Sequence, residues 1–432
     1  MDTDAPKKPY RVLVFPGSTG IALEIQKALA GCKEVELFSA GVDGPTHAPY
    51  LFARHFTAPR VDQPGWVEAL NRLISEQRID FVFPAHDDVV EALALRAGEV
   101  RARIVSSPPE TCLVCRSKRE TYKRLKDAVP VPVVYDRPEA VPAYPAFLKP
   151  DRGEGSREAQ VVRHRRHLEV LLEQSPDYVV MEYLPGREYT VDCFSDREAG
   201  LLFCGGRERV RTKAGICIHS RTAENPAFRR HALAISAVLP LHGAWFYQLK
   251  EDREGRLKLM EVGPRIAGTM SVHRVQGVNF PLLSLYEQLR VPVEILRNPV
   301  EVEVDRVLVS HYRPVVSYDT VYVDLDDTLI LRGRVNLPVV RFLYQCVNEG
   351  KRLVLLTRHA GDPEATLRRR RLAGLFDEIV RLEAAESKAD FVREPSAIFI
   401  DDSFRERKAV GERRGIPTFD TSMLELLFDE RA

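Results

Sequence analysis

The sequence predicts a chain of mixed α/β and α+β class, organised in three successive regions. Short β-rich runs alternate with helical patterns over residues 1–108, and the same alternation returns over 317–432. Between them, over 109–316, strands become more frequent and basic residues cluster. Alternation of strand and helix is typical of parallel sheets. We therefore predict three domains with boundaries near residues 108 and 316.

Bulk composition is that of an ordinary globular protein. Lys and Arg number 63 against 62 Asp and Glu, so the formal net charge is +1 and gives no reason to expect nucleic acid or a membrane surface as a partner. No apolar run reaches about 18 residues, and no secretory signal precedes the first strand. The seven scattered cysteines fit a reducing compartment, so we expect a cytoplasmic protein. The oligomeric state stays open, with a homodimer as one candidate.

The first region opens as a Rossmann-like unit. The β-run YRVLVF at 10–15 is followed by the turn Pro16–Gly20 and a helical pattern, although the glycines do not form the dinucleotide-binding fingerprint. Ligands gather at the C-terminal strand ends of such sheets. A substrate position and a simple helix-capping or turn role are both open for Ser18, His86 and Asp87.

Cys112 and Cys115 form an isolated C-x-x-C pair. A zinc site usually needs a second pair of Cys or His ligands, and none follows in the sequence. We therefore expect two small buried thiols rather than a metal site.

The middle region contains, in order, the groups needed to bind and activate a nucleotide triphosphate. Such a site needs cations and backbone donors for phosphates, an adenine slot and oxygen ligands for Mg²⁺. Lys118 opens a helix after Ser117, and Lys149 ends a strand. The remaining candidates follow along the chain: Gly153, Gly155 and Ser156 in a loop, Glu182, Tyr183, Leu184 and Glu188 at a strand edge, and then Gln248, Glu261 and Arg265.

This ordered set resembles the ATP-grasp superfamily over residues 1–315, in particular its carbamoyl-phosphate-synthetase-like carboxylate ligases. The resemblance implies an N-terminal Rossmann-like pre-ATP-grasp domain followed by an ATP-grasp domain, with ATP and Mg²⁺ bound. It further implies the following roles: phosphate contacts from Lys118 and Lys149; a closing loop with Gly153, Gly155 and Ser156; an adenine hinge of Glu182, Tyr183 and Leu184; ribose binding by Glu188; metal binding by Gln248 and Glu261; and phosphoryl stabilisation by Arg265.

The chain departs from the family pattern at one metal position. Gly263 stands where the pattern has Asn, and glycine offers no side-chain oxygen to Mg²⁺. Water or the carboxylate of Glu261 could compensate, or the second metal site is weakened. An active ligase and a silent nucleotide-binding region are both compatible with the retained residues.

The chemistry that the resemblance implies has two steps. A substrate carboxylate attacks the γ-phosphorus of ATP, and an amine or related nucleophile then displaces phosphate from the acyl phosphate. The sequence does not identify either substrate. A basic segment at 205–222 supplies Arg209, Arg211 and Lys213, which either recognise an anionic substrate or form a mobile surface loop.

The third region has a more specific pattern. After the strand VYV come Asp324 and Asp326 in a D-x-D-x-T motif, whose alternate positions share one side of an extended chain. A carboxylate nucleophile for phosphoryl transfer needs such a second acid to protonate the leaving group, and a metal to screen its charge. Three further elements follow: Thr357 ends RLVLLT, Lys388 lies on a helix, and Asp401 and Asp402 follow AIFI.

These motifs resemble the complete set of a haloacid dehalogenase (HAD)-like phosphatase over residues 319–432. The resemblance implies a C-terminal HAD-like Rossmannoid domain with Asp324 as nucleophile and Asp326 as general acid and base. Thr357 and Lys388 would hold the phosphoryl group. The magnesium ligands would be Asp324, Asp326 and Asp401, with Asp402 in support.

Together these resemblances predict a bifunctional enzyme. One part would be an ATP-dependent carboxylate–amine ligase, and the other a Mg²⁺-dependent phosphatase acting on a related phosphorylated metabolite. The alternative is an active phosphatase joined to an ATP-grasp region that binds nucleotide without turnover. A third reading, with both sites silent, is open as well.

Overall fold

The computed structural model describes residues 9–153, 158–174, 177–312 and 316–431. The chain divides into two compact units, Met1–Leu308 and Val309–Arg431. Each unit is described by itself below. Among the described residues, no helix is both long enough and apolar enough to cross a bilayer.

A five-stranded parallel sheet begins the first unit. Its strand order is β3-β2-β1-β4-β5, so the chain changes direction between β1 and β4. Both faces are covered, because Val12 and Val14 point into one core and Leu13 and Phe15 into another. The elements are β1 (Tyr10–Phe15), α1 (Gly20–Leu29), β2 (Val35–Gly41), α2 (Ala48–Leu51), β3 (His55–Thr57), α3 (Trp66–Gln77), β4 (Phe81–Pro84), α4 (Asp87–Leu95) and β5 (Arg103–Ile104).

A four-stranded antiparallel sheet follows, with the order β6-β9-β7-β8. The helix that precedes it begins at Lys118, because the Ser117 hydroxyl caps it by accepting from the backbone N–H of Glu120 at 3.1 Å. The elements are α5 (Pro109–Arg116), α6 (Lys118–Leu125), β6 (Val134–Tyr135), β7 (Ala146–Pro150), β8 (Gln160–Val162), α7 (Arg165–Gln174) and β9 (Tyr178–Glu182), with a 3-10 turn at Pro138–Ala140.

The first unit ends in a six-stranded antiparallel sheet of order β14-β13-β10-β11-β12-β15. One face contributes to the same core as the first sheet, because Phe194, Phe203 and Phe246 share a hydrophobic cluster with Val12 and Val14. The opposite face packs on α6 and α8. The elements are β10 (Glu188–Asp196), β11 (Gly200–Lys213), β12 (Ile216–Ala223), α8 (Pro226–Val238), β13 (Gly243–Glu251), β14 (Leu257–Gly263), α9 (Ser271–Arg274), α10 (Phe280–Gln288) and β15 (Glu303–Asp305).

The second unit is built on another five-stranded parallel sheet, of order β20-β19-β16-β21-β22, with a small hairpin of β17 and β18. Val321 and Val323 point to one core and Tyr322 to the other, so both faces are buried. The elements are β16 (Thr320–Val323), β17 (Ile330–Leu331), β18 (Arg334–Val335), α11 (Leu337–Asn348), β19 (Arg352–Thr357), α12 (Pro363–Arg369), β20 (Glu378–Arg381), α13 (Lys388–Phe391), β21 (Ala397–Ile400), α14 (Phe404–Arg414) and β22 (Thr418–Phe419), with a 3-10 turn at Thr421–Leu426.

A buried ion pair joins two strands of the six-stranded sheet. The Arg207 guanidinium on β11 donates to both carboxylate oxygens of Asp192 on β10, at 2.7 and 3.2 Å. The side chains are 1% and 0% exposed, so the pair has left water completely. Burying two charges is costly, and removing either one leaves the other uncompensated.

We predict that Asp192→Ala strongly destabilises the first unit. The variant buries the Arg207 charge without a partner, which costs about 3–5 kcal/mol. Calorimetric unfolding of the whole chain measures this as a lower transition temperature. Glu110→Ala is the control, because it breaks an exposed pair with Arg124 at 3.0 Å and should change the transition far less. Equal transition temperatures for Asp192→Ala and wild type would contradict the prediction.

Candidate functional site

The first unit contains a cavity of about 480 Å³. One wall follows the C-terminal ends of β1 and β4, with Thr19 and Asp87, and another is the face of the six-stranded sheet. The point where strand order reverses is a common position for ligands in parallel sheets. Seven positions that the sequence analysis compared with the family pattern line it: Lys118, Gly153, Glu188, Gln248, Glu261, Gly263 and Arg265.

Strand register aligns polar side chains across the sheet face. Glu261 on β14 is opposite Gln248 on β13, Gln248 is opposite Thr190 on β10, and Thr190 is opposite Arg207 on β11. Directly opposed residues point to the same face of an antiparallel sheet. We call these four residues the polar row. Two residues further along β10, Asp192 is opposite Phe246, which in turn is opposite Gly263.

Lys118 lies at the cavity in a nearly dry environment. Its side chain is buried, and Nζ donates to the carbonyl oxygens of Asp151 and Gly153, at 3.0 Å each. Burial lowers the pKa of Lys118, and the nearby Glu261 carboxylate acts in the opposite direction. The lysine therefore anchors the start of the 151–156 loop to the helix α6.

Lys149 is buried behind this wall and does not line the cavity. Its Nζ donates to the Tyr122 hydroxyl at 2.9 Å and to the Met260 carbonyl at 3.1 Å. Burial and, to a smaller extent, the charge of Lys118 lower the pKa of Lys149 to about 7, although the Glu261 carboxylate opposes both. The ammonium is thus poised between its charged and neutral forms near neutral pH.

Gln248 and Glu261 offer an amide and a carboxylate oxygen from neighbouring strands to the same cavity. These are ligand types that Mg²⁺ accepts, and Mg²⁺ usually keeps waters or substrate phosphates in its other positions. The donor set therefore fits a Mg²⁺–phosphate complex. The Glu261 carboxylate is also the acid that most favours the charged form of Lys118.

Packing against Phe246 explains why residue 263 is a glycine. A Cβ at this position would lie 2.4 Å from two ring carbons of Phe246, which no side chain tolerates. Phe246 itself is 3% exposed and belongs to the core between the two sheets. The Phe246 ring therefore fills the space where the family pattern has an Asn, and position 263 supplies no side-chain ligand.

Arg265 is held by the protein rather than extended into the cavity. Its Nε and Nη2 each lie 2.6 Å from an oxygen of Asp87, and its Nη1 donates to the Ile266 carbonyl at 3.0 Å. The guanidinium also lies 5.1 Å from the centre of the Phe246 ring. Arg265 was expected to stabilise a transferring phosphoryl group. In the structure, the Asp87 carboxylate already neutralises its positive charge.

The expected adenine hinge lies outside the lining of this cavity. The Glu182 carboxylate accepts from the backbone N–H of Val133 at 2.9 Å and lies 3.2 Å from Lys258 Nζ, whereas Leu184 is buried and Tyr183 half-buried. Of the nucleotide-binding candidates, Gly155 and Ser156 lie outside the described residues. Glu188 lines the cavity, between Arg209 at 2.6 Å and Lys250 at 3.2 Å.

The basic segment at 205–222 proves to be ordered strand rather than a mobile loop, because it forms most of β11 and β12. Arg209 lines the cavity and pairs with Glu188, whereas Arg211 pairs with Asp305 at 2.7 Å and Lys213 is exposed. Sequence reasoning missed Arg207 and Thr190. The detectable signal was a charged residue, Asp192, inside an apolar strand, since buried acids need a partner.

Residues at the strand ends have mixed roles. The His86 side chain accepts from the backbone N–H of Asp88 at the start of α4, and both His86 and Asp87 line the cavity. Ser18 is half-buried and does not line it. Cys112 and Cys115 are buried free thiols, and burial raises the pKa of Cys112 to about 11, so they remain protonated.

The second unit brings its motifs together at the reversal point between β16 and β21. Asp324 follows β16, Asp401 follows β21, and Lys388 Nζ donates to both carboxylates, at 2.5 and 2.7 Å. All three are at least nine-tenths buried. Burial raises the pKa of Asp324 to about 6 despite the Lys388 charge, and burial also raises the pKa of Asp401.

Three carboxylates in this unit could hold a metal ion. Ligand oxygens of Asp324, Asp401 and Asp402 lie within 4.8 Å of one another. They are the group of potential metal ligands identified among the described residues. Hard carboxylate oxygens suit Mg²⁺. Asp402 is positioned by Thr328, whose hydroxyl donates to it at 3.2 Å. Asp326, predicted as a third ligand, is not part of this group.

Asp326 has a different set of contacts. Its carboxylate lies 2.9 Å from His359 Nδ1, and His359 Nε2 lies 3.0 Å from the Thr366 hydroxyl. Thr357 is fully buried at the end of β19 and accepts from the backbone N–H of His359 at 3.0 Å. The Asp326 carboxylate is therefore held by His359 and does not belong to the group of three carboxylates. His359 itself was not predicted from the sequence.

Part of the first unit matches a known family. Residues 174–308 match the family model described as ATP-grasp in the biosynthetic pathway with Ter operon. The matched segment contains β9 to β15, and so includes the whole polar row and Arg265. No curated protein matches the chain.

Solved structures are similar in fold. The biotin carboxylase domain of Hydrogenobacter thermophilus 2-oxoglutarate carboxylase, a dimer crystallised with MgADP, ADP and bicarbonate, has a TM-score of 0.57 at 14% identity and covers 67% of this chain and 71% of its own.

Two ligase structures give similar values. N5-carboxyaminoimidazole synthetase from Staphylococcus aureus, complexed with ADP, has a TM-score of 0.55 at 14% identity over 68% of this chain and 80% of its own. L-amino acid ligase from Bacillus licheniformis has a TM-score of 0.52 at 18% identity over 67% and 76%. The family match and these structures show that the chain contains the mixed α/β fold of the ATP-grasp ligases.

Proposed function

We propose that the chain is a bifunctional enzyme. Its first unit is an ATP- and Mg²⁺-dependent ligase that joins a carboxylate to an amine or a related nucleophile through an acyl phosphate. Its second unit is a HAD-like, Mg²⁺-dependent phosphatase acting on a related phosphorylated metabolite, in a cytoplasmic protein. The observation that carries the ligase is the convergence of Lys118, Gln248 and Glu261 on one cavity.

In the ligase, the chain positions and neutralises rather than reacting covalently. Lys118 binds phosphate oxygens at the cavity, and Lys149 contributes its positive charge from behind the cavity wall. Gln248 and Glu261 would hold the metal, which would screen the charge of the triphosphate. The substrate carboxylate oxygen attacks the γ-phosphorus while the bond to the bridging oxygen breaks, releasing ADP. The amine nitrogen then attacks the acyl carbon, phosphate leaves, and the amine proton passes to solvent.

In the proposed phosphatase, a buried network of charged side chains carries out the reaction. Asp324 is the nucleophile that attacks phosphorus, Lys388 neutralises the crowded carboxylates, and Asp326 donates a proton to the leaving oxygen. Water then attacks phosphorus and frees Asp324. Asp324, Asp401 and Asp402 would hold the metal, which screens the repulsion between carboxylate and phosphate. The contact of Asp326 with His359 supports its role in proton transfer, since it lies outside the carboxylate cluster.

One alternative for the first unit follows from two contacts. Phe246 fills the space next to Gly263, and Asp87 neutralises Arg265. Both features reduce the metal and cationic groups available to a transferring phosphoryl group. The alternative is a region that binds nucleotide without turnover, and the following experiment separates it from a ligase.

We predict that wild type converts MgATP to ADP over many turnovers only when a suitable carboxylic acid and amine are supplied together, because the acid alone stops at the acyl phosphate after one equivalent of ADP. Glu261→Gln keeps the shape of the side chain but removes its charge, and should lower kcat about 100-fold. Glu254→Gln, on the exposed turn between β13 and β14, is the matched control and should retain wild-type rates. ATP binding without ADP release across a broad panel of acids would favour the binding module instead.

We predict that ATP binding at pH 8 is accompanied by uptake of about one proton through Lys149. With a pKa of about 7, the free lysine is mostly neutral at that pH, and a bound triphosphate favours its charged form. Calorimetric titration in buffers of different ionisation enthalpy measures the uptake. It should shrink at pH 6, where the lysine is already protonated, and be missing in Lys149→Met. Equal uptake in that variant and wild type would contradict the assignment.

We predict that the full chain hydrolyses para-nitrophenyl phosphate with Mg²⁺, and that Asp324→Asn lowers the rate at least about 1000-fold, as removal of a nucleophile does elsewhere. Asp429→Asn, which changes a carboxylate paired with Arg431 in the same unit, is the control and should leave the rate unchanged. Identical background rates in wild type and Asp324→Asn would rule out a phosphatase.

A further inference from the structure

Arg207 lines the cavity, and one of its three nitrogens has no hydrogen-bond partner among the described residues. Its side chain is 1% exposed, and Asp192 accepts from Nε and Nη2. Its third nitrogen, Nη1, is buried and has no hydrogen-bond partner among the described residues. Buried donors are nearly always paired, so an unpaired guanidinium nitrogen at a cavity wall indicates a partner that binds there.

The other arginines at the cavity that carry ion pairs differ from Arg207. Arg265 uses all three nitrogens on Asp87 and a carbonyl. Arg116 pairs with Asp88 and Glu91, and Arg209 lies against Glu188 while donating to the Gly215 carbonyl. These guanidinium groups are committed to protein acceptors. Arg207 is fixed by Asp192 yet keeps a donor for a ligand.

Thr190 adds a second unused group at the same position. It is directly opposite Arg207 across the strand pair and fully buried, and its Oγ1 has no hydrogen-bond partner in the described chain. On its other side it is opposite Gln248, one of the two proposed metal ligands. The donor and the hydroxyl therefore adjoin the place where an acid would meet the phosphoryl group.

The Arg207 guanidinium is preorganised by its surroundings. Asp192 accepts from two of its nitrogens, and the buried His273 Nε2 lies 3.7 Å from the same carboxylate and 3.0 Å from the Gly205 carbonyl. A rigid, buried guanidinium favours an anionic oxygen over a neutral one. In the proposed ligase the phosphates of the nucleotide bind at Lys118 and the metal, which leaves Arg207 for the other substrate.

We propose that Arg207 and Thr190 form a specificity-determining site that binds a carboxylate oxygen of the acid substrate. This inference rests on the proposed ligase. Arg207 Nη1 and the Thr190 hydroxyl donate to the anionic oxygen, and neither takes part in bond making. The substrate class is therefore a small organic acid that binds as its anion.

Thr190→Val is the cleanest test, because valine keeps the shape and removes a hydroxyl that has no partner in the free protein. We expect an unfolding temperature equal to or above that of wild type, a KM for the acid raised about tenfold and an unchanged KM for ATP. Arg207→Lys keeps a charge beside Asp192 but loses the forked donors, and should show the same selective effect. Thr320→Val in the second unit is the control and should change neither constant.

Calorimetric binding of the acid to wild type with MgADP is measured in parallel, with inorganic phosphate as a second probe. If wild type is an active ligase and the KM for the acid is unchanged in Thr190→Val and Arg207→Lys, the proposed acid-binding site is wrong. The proposed ligase activity is then unaffected. If wild type turns over no acid, the ligase fails. Acid binding weakened by Thr190→Val would then still support the site, whereas tighter binding of phosphate than of any acid, or no binding at all, would overturn it.

Discussion

The first unit depends on the register between β10 and its two neighbours, β11 and β13. That register places Arg207, Thr190, Gln248 and Glu261 side by side on the cavity face. A slip of one residue would turn the whole row into the opposite, apolar core. The buried Arg207–Asp192 pair makes such a slip especially unfavourable, because both charges would lose their partner. The same contact therefore favours this strand pairing and leaves one Arg207 nitrogen without a hydrogen-bond partner among the described residues.

Both units use the same arrangement of a parallel sheet to collect polar groups. In each one the first strand lies at the centre, and the direction of winding reverses beside it. At the reversal point, the connections from the two central strands lead to opposite sides of the sheet and leave a crevice at the C-terminal strand ends. Side chains that directly follow these two strands therefore meet in this crevice. In the first unit this brings Thr19 and Asp87 to the cavity, and in the second it brings Asp324 and Asp401 to Lys388.

Packing and chemistry compete at Gly263. The large Phe246 ring contributes to the core between two sheets, supports the Arg265 guanidinium and occupies the space of a side chain at 263. A metal ligand there would require a smaller residue at 246 and would weaken this core. The proposed metal site therefore relies on Gln248 and Glu261, with the remaining positions open to water and phosphate.

Sequence by itself determined the elements and much of the candidate site. The helix start at Lys118 and the strand ends at Thr357 and before Asp324 and Asp401 follow from local patterns. Gln248 and Glu261 were expected from the family resemblance, and the structure places them opposite each other on neighbouring strands. Only the tertiary structure decided that Phe246 excludes a side chain at 263, that Asp87 holds Arg265, and that His359 holds Asp326. It also decided that Arg207 lines the cavity and that the buried Thr190 is directly opposite it. The physical reason is that local patterns depend on neighbours in the chain, whereas these contacts join residues brought together only by sheet register and packing.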